Sequence, residues 1–103
     1  MTEVEVSIGS QGLRMVGTLA LPEALPAPVV LLLHGFTGTR DEMAIAGTGE
    51  GIFTRVARLL AAAGYASLRV DFIGSGDSVG DFADTTFEGQ VADGLAALAE
   101  NSA

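Results

Sequence analysis

Lysine, cysteine and tryptophan are all absent from this chain. Without cysteine there is no disulfide, no thiolate metal site and no thiol nucleophile. Without lysine, the five cations are all arginines, set against 13 acids, and the formal net charge is −8. Such a chain repels phosphate backbones and anionic lipid surfaces, which argues against nucleic-acid and membrane-surface roles. Long apolar runs are also missing. The longest, Pro28 to Leu33, is far too short to span a bilayer. The opening Met1-Thr-Glu-Val-Glu-Val-Ser is acidic and alternating, unlike the basic and then apolar start of a secretory signal, so a cytoplasmic setting is expected. A single histidine and scattered acids form no metal-ligand cluster, and no cofactor is expected.

What is present is aliphatic. Of 103 residues, 49% are apolar and only 17% charged, and the mean hydropathy is +0.45. A domain this small has little interior, because surface grows relative to volume as chains shorten. So apolar a composition suggests one wall of a larger core, or an oligomer.

Along the chain, Glu3 to Ile8 alternates polar and apolar, Gly9-Ser10-Gln11-Gly12 offers turn residues, and Leu13 to Leu21 alternates again. The first 21 residues thus read as an antiparallel hairpin. Pro22, Pro26 and Pro28 mark an irregular connection. Val29 to Leu33 is apolar on both faces, as in a strand buried on both sides of a mainly parallel sheet. After a glycine-rich loop, Ile52, Val56, Leu59, Leu60 and Ala63 fall at helical spacing, and Gly64 suits the left-handed residue beyond a helix end. Ala66 to Phe72 is a second buried strand. A loop from Ile73 to Asp84 leads to a helix opened by a capping box, Thr85-x-x-Glu88. Its expected inner stripe is Phe87, Val91, Leu95 and Leu98, ending near Glu100. The fold class is α/β, an antiparallel hairpin beside a βαβ unit with a final helix, in one partial domain over 1–103.

Several short motifs invite chemistry. Gly76-Asp77-Ser78-Val79-Gly80 satisfies G-x-S-x-G, but that motif needs a sharp strand-to-helix turn. Here the strand ends four residues earlier, the next helix starts only near Thr85, and Asp77 and Asp81 would oppose a developing oxyanion. Ser78 is therefore read as a decoy. Asp71, at the end of a buried strand, is expected to accept hydrogen bonds from turn amides near Gly74 to Ser78. Gly74 to Gly80 also resembles a dinucleotide loop, but loosely, with the same acids facing the pyrophosphate. Gly47 to Gly51 lacks the Lys of a P-loop. Arg55 and Arg58 read as a solvated helix face.

Three stretches carry a family likeness: Leu31-Leu-Leu-His-Gly-Phe-Thr-Gly38, Leu59-Leu-Ala-Ala-Ala-Gly-Tyr-Ala-Ser-Leu-Arg-Val-Asp-Phe72, and Asp71-Phe-Ile-Gly-Ser-Gly-Asp-Ser-Val-Gly-Asp-Phe82. In this order and spacing the chain resembles the front half of α/β-hydrolase esterases, in the cinnamoyl/feruloyl-esterase-like or serine-aminopeptidase-like branch. The resemblance implies that the backbone N–H of Phe36 faces a developing oxyanion, a fixed dipole worth about 3–4 kcal/mol to a transition state. His34, Gly35, Thr37 and Gly38 would support that loop; the bland alternative is a mere strand-terminating turn. His34 would be a structural or loop residue, because the family's catalytic base lies near its C-terminus. Asp71, Gly74, Gly76, Ser78 and Gly80 would shape the pocket, and Asp71 would not be the triad acid, which follows the nucleophile in chain order. The nucleophilic serine, acid and base would all lie beyond Ala103, so the chain alone is expected to be inactive or very weak. The partner implied for the complete enzyme is a small-molecule ester. The Val29–Leu33 strand would keep one open edge, inviting self-association, poor solubility or a completing chain. A non-catalytic remnant or assembly module is the alternative reading.

Overall fold

The computed structural model describes residues 1–34, 38–41, 47 and 50–102. In chain order the elements are β1 (Thr2–Ser10), β2 (Leu13–Leu21), β3 (Val29–Leu33), α1 (Ile52–Ala62), β4 (Ala66–Val70), a 3-10 turn (Phe82–Asp84) and α2 (Phe87–Ser102). The sheet order is β1-β2-β4-β3, with β1–β2 and β2–β4 antiparallel and β3–β4 parallel. The expected hairpin and βαβ unit are both there.

The hairpin turn is tighter than the glycines suggested. Ser10 pairs with Leu13, so only Gln11 and Gly12 lie outside the ladder. Both have positive φ, 54° and 73°, the two-residue geometry that matches the twist of paired strands. Register then puts Val6 and Ile8 of β1, Met15 and Leu19 of β2, Leu68 and Val70 of β4 and Leu31 of β3 into one apolar cluster, closed by Ile73, Ala96 and Ala97. Met15 and Val70 are fully buried, each contributing about 1.5–3 kcal/mol by leaving water. Gly17 faces Val70 and Leu68 so closely that a side chain there would crowd both.

β4, interior like β2, is buried throughout, whereas β3 is bonded on one side only among the described residues and its ends stand exposed. The expectation of burial on both faces therefore holds for Ala66–Val70 and fails for Val29–Leu33 within these residues. Because β4 closes its ladder at Val70, Asp71 and Phe72 belong to the exit from the strand.

α1 ends as read. Gly64 has φ +93°, its N–H donates to the Ala61 carbonyl and the Tyr65 N–H to that of Leu60, which closes the helix with a left-handed cap. At the other end no side chain caps it; the Asp41 carbonyl accepts from the Phe53 N–H at 3.0 Å. Ala57 is the buried residue of α1, flanked by half-buried Phe53, Val56 and Leu60, while Ile52 and Leu59 stand exposed. The packed stripe is thus shifted by one residue from the sequence reading.

α2 departs further. Its cap is Thr86, whose Oγ1 accepts from the Gly89 N–H at 2.9 Å, whereas the Thr85 hydroxyl donates back to the Phe82 carbonyl. The buried positions are Asp93 and Ala97. Val91, Leu95 and Leu98, expected inside, are 46%, 61% and 52% exposed. Small side chains win the contact because they let the helix approach the sheet. Among the described residues no helix is long and apolar enough to cross a membrane.

Candidate functional site

The parallel strands β3 and β4 end side by side, and the residues that leave them form one hydrogen-bonded cluster. His34 is 5% exposed. Its Nε2 accepts from the Phe72 N–H at 3.1 Å, and its ring lies 4.6 Å from the Phe72 ring at a tilt of 57°. In that bond Nε2 is the acceptor, which fixes the orientation of the ring at the end of the strand. Through bond and ring contact His34 ties the end of β3 to the exit from β4.

Asp71 has no exposed surface. One oxygen accepts from the Arg40 N–H at 2.6 Å, and the other from the Asp77 N–H at 2.9 Å and from the Arg40 guanidinium. The turn-amide role expected of Asp71 is there in the bond from Asp77. Arg40 was not anticipated. Its Nε donates to Thr18 Oγ1 at 3.0 Å and its Nη1 to Asp77 at 3.1 Å. Burial works against the Arg40 charge, but Asp71 and Asp77 outweigh it and hold the guanidinium pKa above its usual value. A buried carboxylate is tolerated only when paired and hydrogen-bonded, and Arg40 supplies both. A lone arginine in a loop gives no periodic signal by which this could have been found.

The loop from Gly74 to Gly80 is self-contained. The Gly74 N–H donates to the Val79 carbonyl, Ser75 to Phe72, Ser78 to Ser75 and Asp77 to the Asp71 carboxylate. With these amides already engaged, few are left for a pyrophosphate, which weighs against the dinucleotide reading. Gly74, Gly76 and Gly80 all have positive φ, and a Cβ on Gly76 would fall onto the Asp71 carboxylate. Ser78 is 8% exposed. Its hydroxyl donates to the Asp71 carbonyl and accepts from the Val16 N–H at 2.8 Å. Its donor and acceptor capacity are both engaged on backbone, not on a general base.

A second unanticipated residue, Asp93 on α2, is 1% exposed. It accepts from Ser10 Oγ at 2.6 Å, Gln11 Nε2 at 3.0 Å and the Ile73 N–H at 2.7 Å. It pins α2 to the hairpin turn and to the start of the same loop. An acid three residues after Gln90 and four before Ala97 is the one helical-face signal that pointed to it.

Arg55 and Arg58, half-exposed, converge on Glu50. Hydrogen bonds from Arg58 and then Arg55 hold the Glu50 carboxyl below its usual range. The face read as merely solvated is an ion-pair cluster ahead of α1. Among the described residues no group of His, Cys, Asp or Glu could hold a metal ion.

Beside the cluster runs an apolar groove of about 430 Å³, walled by Leu31, Leu33, His34 and Phe72 on one side and Val91, Leu95 and Leu98 on the other. After His34 the described residues resume at Gly38. Gly35, Phe36 and Thr37, three of the residues assigned to the oxyanion loop, lie outside the described residues.

The profile of a family described as X-Pro dipeptidyl-peptidase (S15 family) matches residues 11–99. No curated protein matches at a significant level. Among solved structures, the ferulic acid complex of Est1E from Butyrivibrio proteoclasticus is 28% identical at a TM-score of 0.81, over 94% of this chain and 36% of that one. The esterase Pf2001 from Pyrococcus furiosus is 23% identical at a TM-score of 0.73, over 96% of this chain and 34% of that one. A putative hydrolase from Agrobacterium vitis S4 is 22% identical at 0.66, over 96% and 36%. The last two likenesses show the fold alone. The chain spans about a third of the length of these structures.

Proposed function

The chain belongs to the X-Pro dipeptidyl-peptidase (S15) family, and from that premise we propose that it is the N-terminal part of an α/β-hydrolase that cleaves carboxylic esters by acyl transfer. The reaction runs through a serine outside residues 1–103. The Phe36 N–H is one oxyanion donor, supported by His34, Gly35, Thr37 and Gly38. The loop carrying Asp71, Gly74, Gly76, Ser78 and Gly80 shapes the pocket wall. The observation that carries the reading is the convergence of His34, Asp71 and Phe72 at the ends of two adjacent parallel strands, beside an apolar groove. Ligands of open α/β sheets bind at such strand ends.

The apolar groove favours an ester with an apolar acyl or aryl group, and the feruloyl class fits it, with ferulic acid bound in the Est1E structure. The family description supports amide hydrolysis after an Xaa-Pro pair as the competing specificity. A specific observation favours a second reading: among the described residues β3 is bonded on one side only, with Val29 39% and Leu33 42% exposed. In that reading the chain is a non-catalytic assembly module whose open edge takes up a completing strand.

The test is to translate the coding DNA past Ala103, express the complete protein and assay it. A strand followed by G-x-S-x-G, fluorophosphonate labelling of that serine and turnover of methyl ferulate or p-nitrophenyl acetate support the ester hydrolase. Turnover of Ala-Pro p-nitroanilide instead moves the specificity to peptides. A stop codon directly after Ala103 sinks the hydrolase and leaves the assembly module.

A further inference from the structure

The segment after β3 is tied down at two points, and both ties lead to the residues that leave β4. His34 Nε2 holds the Phe72 N–H at 3.1 Å, and the Arg40 N–H holds Asp71 Oδ1 at 2.6 Å. His34 and Arg40 are therefore anchored to two consecutive residues, Phe72 and Asp71. The Arg40 side chain reinforces the second anchor, since its guanidinium grips Asp71 Oδ2, reaches Asp77 at 3.1 Å and spends Nε on Thr18. Glu5 is the remaining facing charge, 3.9 Å from Nη2.

We propose that Arg40 is a positioning residue of the hydrolase site: through Asp71 it fixes the stretch 38–41 against the Gly74–Gly80 loop. The inference rests on the hydrolase reading above. Arg40 itself need touch no substrate. Its planar fork and its own amide reach both oxygens of one carboxylate, which a lysine's compact ammonium cannot reproduce. Among the described residues the Asp71 oxygens have one donor besides Arg40, the Asp77 N–H, so loss of the guanidinium leaves a buried carboxylate short of its partner. The two loops then lose their common reference point. A displacement of about 1 Å in a catalytic group costs on the order of 10²-fold in rate.

The experiment uses the complete protein with p-nitrophenyl acetate as substrate, active sites titrated by fluorophosphonate, and hydrogen–deuterium exchange followed by peptide. For Arg40→Gln, kcat per titrated site should fall about 10- to 100-fold with KM changed by no more than about twofold. Exchange should quicken in peptides covering 35–41 and 74–80 while β1, β2 and β4 stay protected. Arg40→Lys should restore part of kcat, and Arg58→Gln, at the exposed Glu50 cluster, should match the parent. A wild-type kcat per site in Arg40→Gln overturns the proposal, as does exchange that quickens uniformly across the sheet. A parent protein with no hydrolytic activity counts against the hydrolase reading alone. The exchange comparison then decides the positioning role, which unchanged protection of 35–41 would overturn.

Discussion

At the scale of the residue, the exit from β4 concentrates its polar demands on Asp71 and Ser78. Ser78 bridges the Val16 amide and the Asp71 carbonyl, so Ser78→Ala strips two buried backbone groups of their partner. A loss of about 1–3 kcal/mol is expected, read by urea denaturation of the complete protein, with fluorophosphonate labelling per folded molecule unchanged. Loss of labelling would instead make Ser78 the nucleophile. Gly76 combines φ +50° with a Cβ position occupied by the Asp71 carboxylate. Gly76→Ala should therefore cost about 2 kcal/mol or more, seen as a lowered melting temperature; an unaltered one would mean that the loop can move away. Much of this was legible. The misfit between G-x-S-x-G and a long strand-to-helix gap already demoted Ser78, and the Gly spacing marked the loop. Arg40 was not, because a bond spanning 31 positions from a loop to a strand end leaves no local pattern.

At the scale of the element, α2 is held by polar and small residues more than by its large apolar ones. Asp93 gathers donors from the hairpin turn and from Ile73. Asp93→Ala should destabilise by about 3 kcal/mol and loosen α2 first, visible as early exchange of its amides. A uniform change across all elements would speak against that anchoring role. The apolar period placed α2 correctly yet chose its wrong face, because Val91, Leu95 and Leu98 outweigh two alanines in any hydrophobic count. Contact is decided by how near the helix can come, and Gly94 lies against Leu33 with no side chain between. For α1, Glu50 stands just before the first turn, where negative charge favours the helix. Its carboxyl is more acidic than usual in the folded state, so its stabilisation is present above the ordinary carboxylate pKa. It is lost as pH falls through the lower folded value, below about pH 4.3. Glu50→Gln should flatten that acid limb in melting curves recorded against pH, and an unchanged limb would remove the cluster's role. Arg40, whose pKa moves upward, keeps its contribution throughout the same range and adds no slope to it.

At the scale of the whole molecule, the described residues form a slab 38 × 37 × 18 Å across. Hairpin and βαβ unit could be read from patterning because period-2 alternation and continuous apolar runs report directly on burial. The exposure of β3 could not, since an interior run looks the same whether or not its neighbour is present. The isolated polypeptide 1–103 should sediment above its monomer mass of 10.5 kDa with rising concentration. Val29→Lys should suppress that association, since a charged edge resists strand pairing; a monodisperse parent would count against an adhesive edge. The sheet order has a further consequence for biosynthesis. β2 pairs with β4, joining Gly17 to Val70, so the hairpin leaves the ribosome about 50 residues before the strand that covers it. At about 5–20 residues per second of synthesis, the hairpin waits several seconds with one flank unpaired. Translation speed across that interval, and any chaperone that shelters the nascent hairpin, should therefore govern the yield of folded protein more than the final stability does.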